Sequence, residues 1–144
     1  MQVSVLLQSK GSEVVTVEPA RTVAQVLLVL AERRIGAVVV SSDGQTVDGV
    51  LSERDLVLAL AHLGSAALER TADSLMSREV VTCQPDTTVE WLMSTMTDRR
   101  LRHVPVVVNG GLVGLVSIGD VVKHHVATLE HETKAMHDYI AHPY

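Results

Sequence analysis

Aromatic side chains are almost missing: one Trp, two Tyr and no Phe in 144 residues. Too few remain to build the stacking platforms by which single-stranded nucleic acid is gripped. Positive charge is also short. Twelve Lys and Arg stand against seventeen Asp and Glu, for a formal charge of −5, whereas binding a phosphate backbone calls for a basic surface. Nucleic acid is therefore disfavoured as a partner. The single cysteine, Cys83, allows no internal disulfide. Apolar runs such as Val26 to Ala31 and Leu56 to Ala61 fall far short of the ~20 residues a membrane-spanning helix needs, so no membrane span is expected. The opening Met1-Gln2-Val3-Ser4 lacks the charged n-region of a secretory signal, and the cytoplasm is the expected compartment. What the chain does have is aliphatic. A hydrophobic content of 47% is ample for one ordinary domain, or for two small units sharing a core. A flat ligand held by such a chain must lie between aliphatic walls.

The chain repeats itself. At an offset of 66, eleven positions recur: Val14, Val15, Thr16, Pro19, Thr22, Val23, Arg33, Arg34, Val38, Val40 and Gly44. At an offset of 65 four more follow, Gly49, Ser52, Asp55 and Val57 matching Gly114, Ser117, Asp120 and Val122. Two Val-rich stretches would resemble each other in any case, but not with Gly, Pro, Ser and Asp in register after a single indel.

Each copy reads as strand, helix, strand, strand, helix. Val14 to Val17 is a β-branched run closed by Pro19. Thr22 with Gln25 reads as a helix N-cap, and Val23, Val26, Leu27 and Leu30 follow at helical spacing up to Arg34. The second copy runs from Thr88 to Arg100, with Thr87 and Glu90 as an alternative capping pair. Val38 to Val40 and Val104 to Val108 are short strands. Ser42-Asp43-Gly44 and Asn109-Gly110-Gly111 are turn signals, and return strands (47–51 and 112–116) lead into helices starting near Ser52 and Ser117. The expected division is a first repeat over 5–63, a connector over 64–79, a second repeat over 80–127 and a helical tail over 128–144.

Two words carry chemistry: Gly49-Val50-Leu51-Ser52-Glu53-Arg54-Asp55 and Gly114-Leu115-Val116-Ser117-Ile118-Gly119-Asp120. Both place Gly-x-x-Ser-x-x-Asp where a strand becomes a helix. A glycine admits close approach of backbone or ligand. The serine hydroxyl and the free N–H groups of a first helical turn suit a phosphate. A carboxylate one turn in can accept both hydroxyls of a ribose diol. Ser-x-x-Asp is equally a capping arrangement, and the two roles are compatible.

Other chemistries find little support. There is no nucleophile elbow, no Walker loop and no His-Glu-x-x-His. Cys83 reads as small core filler. Five of the seven histidines, His124, His125, His131, His137 and His142, crowd the last 21 residues, but their spacing suits a solvated or dimer-contacting helix better than a metal site. No metal ligand and no catalytic residue is assigned. Arg33-Arg34 and Arg99-Arg100 end helices, where cations suit the dipole, and a ligand role for them is equally open.

With these words in place the chain resembles a tandem pair of CBS (cystathionine-β-synthase-type) domains, a Bateman module of the free-standing bacterial type, over about residues 5–127. The signature also includes Val15-Thr16-Val17-x-Pro19-x-x-Thr22-Val23, its echo from Val81 to Val89, Arg102-His103-Val104-Pro105-Val106 and Ser74-Leu75-Met76-Ser77. The resemblance implies an α/β (α+β) fold of two pseudo-twofold-related β-α-β-β-α repeats packed through their sheets, with two clefts between them. It further implies a regulatory, non-catalytic module binding an adenine nucleotide, AMP foremost, with ATP or NAD(H) as alternatives. A homodimer and a regulated protein on another chain are implied as partners. By the same resemblance Asp55 and Asp120 would hold ribose hydroxyls, Ser52 and Ser117 phosphate, and Thr16 and Thr82 would line the clefts. Val38 and Val39, with Val104 and Pro105 in the second copy, would enclose adenine. Arg102 and His103 would meet phosphate. The first repeat has Gly36 and Ala37 at that place, with Arg54 as its substitute charge, so unequal clefts are expected, the second the stronger. The alternative is a protein-interaction module with vestigial clefts.

Overall fold

A computed structural model describes residues 1–11 and 13–142. Within them the two repeats are built by the same local rules. Thr22 caps α2 (Val23–Arg33). Its hydroxyl accepts from the Gln25 N–H at 3.3 Å, and the Gln25 side chain accepts from the Thr22 N–H at 3.1 Å, so two orphan amides of the first turn are satisfied reciprocally. Thr88 caps α5 (Val89–Arg99) by a one-way bond, its hydroxyl accepting from Trp91 N–H at 3.1 Å. The Thr87 hydroxyl instead accepts from the Gln84 N–H, which settles the choice between the two capping pairs.

In the first repeat β2 (Ala37–Val40) is central. It pairs in parallel with β1 (Thr16–Val17) and antiparallel with β3 (Gly49–Ser52). In the second, β4 (His103–Val108) pairs antiparallel with β5 (Gly111–Ser117) through an Asn109-Gly110 turn in which both residues have positive φ, 50° and 78°. The strand expected at 80–82 is not formed. Only Cys83 bridges to Val106, its N–H donating to the Pro105 carbonyl while Val107 N–H donates to the Cys83 carbonyl. The reason lies at Pro105. In the first repeat Val39 N–H donates to the Val15 carbonyl; Pro105 stands where Val39 does and has no N–H, so the ladder stops one rung early.

Each repeat has its own aliphatic core. Val17, Val23, Val26, Leu30, Val38, Val40, Leu51 and Leu56 form one, and Cys83, Val89, Leu92, Met96, Val104, Val106, Val116 and Val121 the other. By strand alternation Val39 and Pro105 point to the opposite sheet faces, and both are buried.

The segments leading into the repeats are exchanged. Residues 5–10, expected to open the first repeat, belong to α1 (Val3–Lys10), whose Val3 and Leu6 are buried in the second repeat's core. The connector holds a 3-10 turn (Gly64–Glu69) and α4 (Ala72–Leu75) and packs on the first repeat through Ala72 and Met76. The two attachments match rung for rung. Val3 N–H donates to the Thr87 carbonyl and Ser4 N–H to that of Pro85, while Ala72 N–H donates to Arg21 and Asp73 N–H to Pro19. Thus α1 is a further repeated element, equivalent to α4 at an offset of 69. Helix α6 (Ile118–Ala141) is 24 residues long, about 36 Å, and runs unbroken past residue 127; residues 143 and 144 of the expected tail lie outside the described residues. No described helix is long and apolar enough to cross a membrane.

Candidate functional site

Both Gly-x-x-Ser-x-x-Asp words form closed capping boxes. At the start of α3 (Glu53–Leu63), Ser52 Oγ accepts from Asp55 N–H at 3.4 Å. Asp55 Oδ2 in turn accepts from the Ser52 N–H and hydroxyl, both at 2.9 Å. At the start of α6, Ser117 Oγ accepts from Asp120 N–H at 3.1 Å and Asp120 Oδ2 accepts from Ser117 N–H at 2.8 Å. The capping role is therefore real in both copies, and it orients each serine and carboxylate at a positive helix end.

The glycines of the two words make room for chain. A Cβ at Gly49 would stand 2.5 Å from Met76 Sδ and 2.8 Å from the Ser77 carbonyl, and one at Gly114 would stand 2.6 Å from Leu7 Cδ2. What approaches each glycine is the exchanged segment, α1 in one repeat and the end of α4 in the other.

The two helix starts converge on one cleft of about 730 Å³. Ser52, Arg54 and Asp55 line it from the first word and Ser117 from the second, with Arg102 and His103 entering from the start of β4. Gly36 of the first repeat lies against His103 of the second, where a Cβ on Gly36 would lie 3.3 Å from His103 Cε1. The basic pair of the second repeat is thereby brought to the first repeat's motif, an arrangement that the linear order of residues did not show.

Three further charged residues line the cleft: Arg100, whose ligand role the sequence leaves open, and Glu79 and Glu53, which it does not mark. Arg100 had a signal. Like its counterpart Arg34 it sits in the left-handed region, φ 54°, a place usually left to glycine after a helix. The repeat pairs Arg34 with Arg100, but only Arg100 reaches the cleft wall.

The cleft's charges are mixed: three guanidinium groups face Glu53, Glu79 and Asp55. His103 is half-buried, and burial, then the neighbouring charges of Lys10 and Arg102, push its imidazole below the usual histidine range against the opposing pull of Asp120 and Glu53. At pH 7 the neutral imidazole is therefore favoured.

Asp120 does not line the central cleft. The Lys10 ammonium, at the end of α1, donates to Asp120 Oδ2 at 2.6 Å and to the Leu115 carbonyl at 2.6 Å. Burial raises the Asp120 carboxyl, but hydrogen bonds from Lys10 and Ser117 outweigh it and leave the group below its ordinary value.

The remaining assigned residues lie elsewhere. Thr16 is half-buried in β1, Thr82 is exposed, and neither lines the cleft; Val80 and Val81 do. Val38, Val39 and Val104 have no exposed surface, and Pro105 is buried. Cys83 is buried with its thiol pushed up to about 11 by desolvation, so it is a poor nucleophile at neutral pH. Among the described residues no three His, Cys, Asp or Glu side chains gather as a metal site would require.

Comparison with known proteins agrees with this fold. The CBS domain profile matches residues 10–62 and 72–127. A CBS-domain protein of known structure, ATU1752 from Agrobacterium tumefaciens, is similar at 46% identity and a TM-score of 0.83, over 87% of this chain and 99% of that one. The mitochondrial CBS domain-containing protein CBSX3 of Arabidopsis thaliana is 33% identical over 123 residues, 83% of this chain, which spans only 60% of that protein's length. CBSX2, whose structure was solved in complex with AMP, is 25% identical with a TM-score of 0.72, over 88% of this chain and 97% of that one. A doubled profile match over most of the chain, on a doubled strand-to-helix motif, makes this protein a member of the CBS domain family carrying a tandem pair of the repeats.

Proposed function

We propose that this chain is a regulatory module that binds an adenosine phosphate, without catalysing a reaction, and passes the binding on to a partner protein as a change of shape or stability. The observation that carries the reading is the meeting of the two helix starts in one cleft, where Ser52 and Ser117 face Arg54, Arg100, Arg102 and His103. Helix N-termini, hydroxyls and guanidinium groups together suit phosphate. Asp55, with Oδ1 outside its capping bonds, suits a ribose hydroxyl. The AMP complex of CBSX2 supports AMP as the first ligand to try. ATP and NAD(H) share the adenosine phosphate that these groups would read.

The first motif, with an open carboxylate and the basic pair beside it, is the stronger half of the site. Dimer formation belongs to the same reading. Val57, Leu58, Val122, Val126 and Leu129 are large apolar residues left 47 to 62% exposed on α3 and α6, and a second copy of the chain would cover them.

The test is a thermal-shift series with AMP, ADP, ATP and NADH on protein freed of carried-over ligand. A ligand at about 100 times its dissociation constant adds roughly 2.7 kcal/mol to stability, which a melt resolves. Stabilisation by AMP that is lost in Asp55→Ala is the expected result. Absence of any shift at millimolar concentrations of all four overturns the reading. The rival, an interaction module with vestigial clefts, rests on the Asp120 carboxylate already being satisfied by Lys10. It predicts partner capture unaffected by replacing both Asp55 and Asp120.

A further inference from the structure

We propose that Lys10 is a latch on the second motif: its ammonium occupies the carboxylate of Asp120, so that an adenosine ligand engages that motif only by releasing the end of α1. The proposal rests on the adenosine-phosphate reading above and adds the regulation of one half of it.

The two motifs differ at one donor. In the first, Asp55 Oδ2 is completed by the hydroxyl of its own Ser52. In the second, the corresponding oxygen, Asp120 Oδ2, takes the Lys10 ammonium at 2.6 Å, and the same ammonium also donates to the Leu115 carbonyl in β5. The pair is 32% and 24% exposed, sheltered enough for the charge-assisted bond to be strong, yet open to exchange with a ligand. Ser117 keeps its capping bond to the Asp120 N–H, so the helix start does not need Lys10.

The first repeat differs at this place: α4 ends at Leu75 and the chain turns extended at Met76, whereas α1 continues as helix to Lys10. Among the described residues the Asp55 carboxylate bonds only to its own Ser52.

Lys10 is the last residue of α1, where its charge also suits the negative end of the helix. Four residues earlier on the same helix Leu6 is buried in the second core, and Leu7 lies on Gly114 within the second motif. Displacing the ammonium therefore loosens the final turn of a helix that is docked on the repeat whose motif is being filled. The neutral hydroxyls of a ribose must replace a full charge at Asp120, which makes this half the weaker one. Binding there has a structural consequence that binding at Asp55 lacks, because among the described residues no side chain of another segment bonds to Asp55.

The experiment is calorimetric titration of the full chain with AMP, using the native protein, Lys10→Met and Lys10→Arg. Met keeps the apolar stem and removes the charge. The native chain should show a stronger and a weaker binding event. Lys10→Met should tighten the weaker one by at least about fivefold, within the range of ordinary coupling between sites, and Lys10→Arg should leave it near native. Hydrogen exchange at the Gly11 amide, which donates to the Leu7 carbonyl at the end of α1, should quicken when AMP saturates the native protein. Weaker binding in Lys10→Met would make the ammonium a ligand group and overturn the latch. Unchanged affinities with native binding intact would overturn the latch alone. No AMP binding by any of the three proteins would overturn the nucleotide reading and the latch with it, and a melt of each variant reports its folding separately.

Discussion

Replacing the motif glycines tests whether they make room for chain or for ligand. Alanine at Gly49 brings its Cβ to 2.5 Å from Met76 Sδ, 2.7 Å from Met76 Cγ and 2.8 Å from the Ser77 carbonyl oxygen. Met76 is unbranched and can repack, although it is only 8% exposed. The carbonyl cannot retreat so easily. Val50 N–H donates to it at 3.1 Å and Ser77 N–H donates back to the Val50 carbonyl at 2.9 Å, so moving it breaks the bridge that holds the connector to β3. Overpacking costs about 1 to 3 kcal/mol, and each weakened backbone bond adds roughly 0.5 to 1.5 kcal/mol, so Gly49→Ala should lose about 3 kcal/mol. At Gly114 the intruded atoms are the ends of the Leu7 side chain, Cδ2 at 2.6 Å and Cδ1 at 3.2 Å, half-buried on a short helix. There the loss should be nearer 1 kcal/mol. For a chain of this size 1 kcal/mol moves Tm by roughly 3 °C. Gly49→Ala is therefore expected to melt ~9 °C lower and Gly114→Ala ~3 °C lower, measured by circular dichroism without ligand and checked by urea unfolding. Native-like melting of both variants together with loss of AMP binding would refute the reasoning, since the glycines would then be sparing space for a ligand.

Proton uptake on binding should pass through His103. Its folded value lies below 6.5, from burial first and then Lys10 and Arg102, and a phosphate beside it raises that value; affinity for AMP therefore climbs as pH falls from 8 and levels off below the free protein's value. In His103→Gln the slope should shrink to that of AMP's own titration, and calorimetry in buffers of different ionisation enthalpy measures the difference; equal slopes would remove His103 from the site. The same depressed value makes the folded state bind fewer protons than the unfolded chain below about pH 6.5, so the His103 contribution to stability is lost as pH falls through that region. Arg100→Gly should relieve a left-handed residue worth roughly 1 kcal/mol while adding chain entropy of about 0.5 to 1 kcal/mol to the unfolded state. Its melt should thus stay near native while AMP affinity drops. Arg34→Gly, with the same φ of 54° and no place on the cleft wall, should change neither, and equal loss of binding in the two would show that the effect is not the guanidinium's.

Local pattern accounts for most of the elements. Threonine caps at 22 and 88 and an Asn-Gly turn each act over a few residues and are found where those residues stand, while the β-branched run before Pro19 forms a strand over Thr16–Val17 only. Two failures are informative. The apolar pattern at 80–82 resembles that at 14–16, yet one missing N–H at Pro105, more than twenty residues away, ends the ladder. Helix α1 has too weak an apolar periodicity over Val3–Lys10 to stand out, because two buried residues, Val3 and Leu6, suffice to dock it. Its equivalence to α4 rests on backbone hydrogen bonds to carbonyls, which leave no trace in side-chain identity. Glu79 leaves no sign for the same kind of reason, and at Arg100 capping and a ligand role stay equally open: helix-ending arginines and connector acids are ordinary surface residues until their neighbours are known.

By itself the sequence determined that the chain folds twice over, that each half closes on a Gly-x-x-Ser-x-x-Asp helix start, and that its cores are aliphatic, because capping, turn formation and burial periodicity are short-range. Only the tertiary structure decided which residues share a cleft. The exchange of α1 and the connector between halves, the approach of Gly36 to His103 and the seating of Lys10 on Asp120 join residues as far as 110 positions apart. Such meetings depend on how two packed repeats face one another, and the spacing of residues along the chain does not encode that.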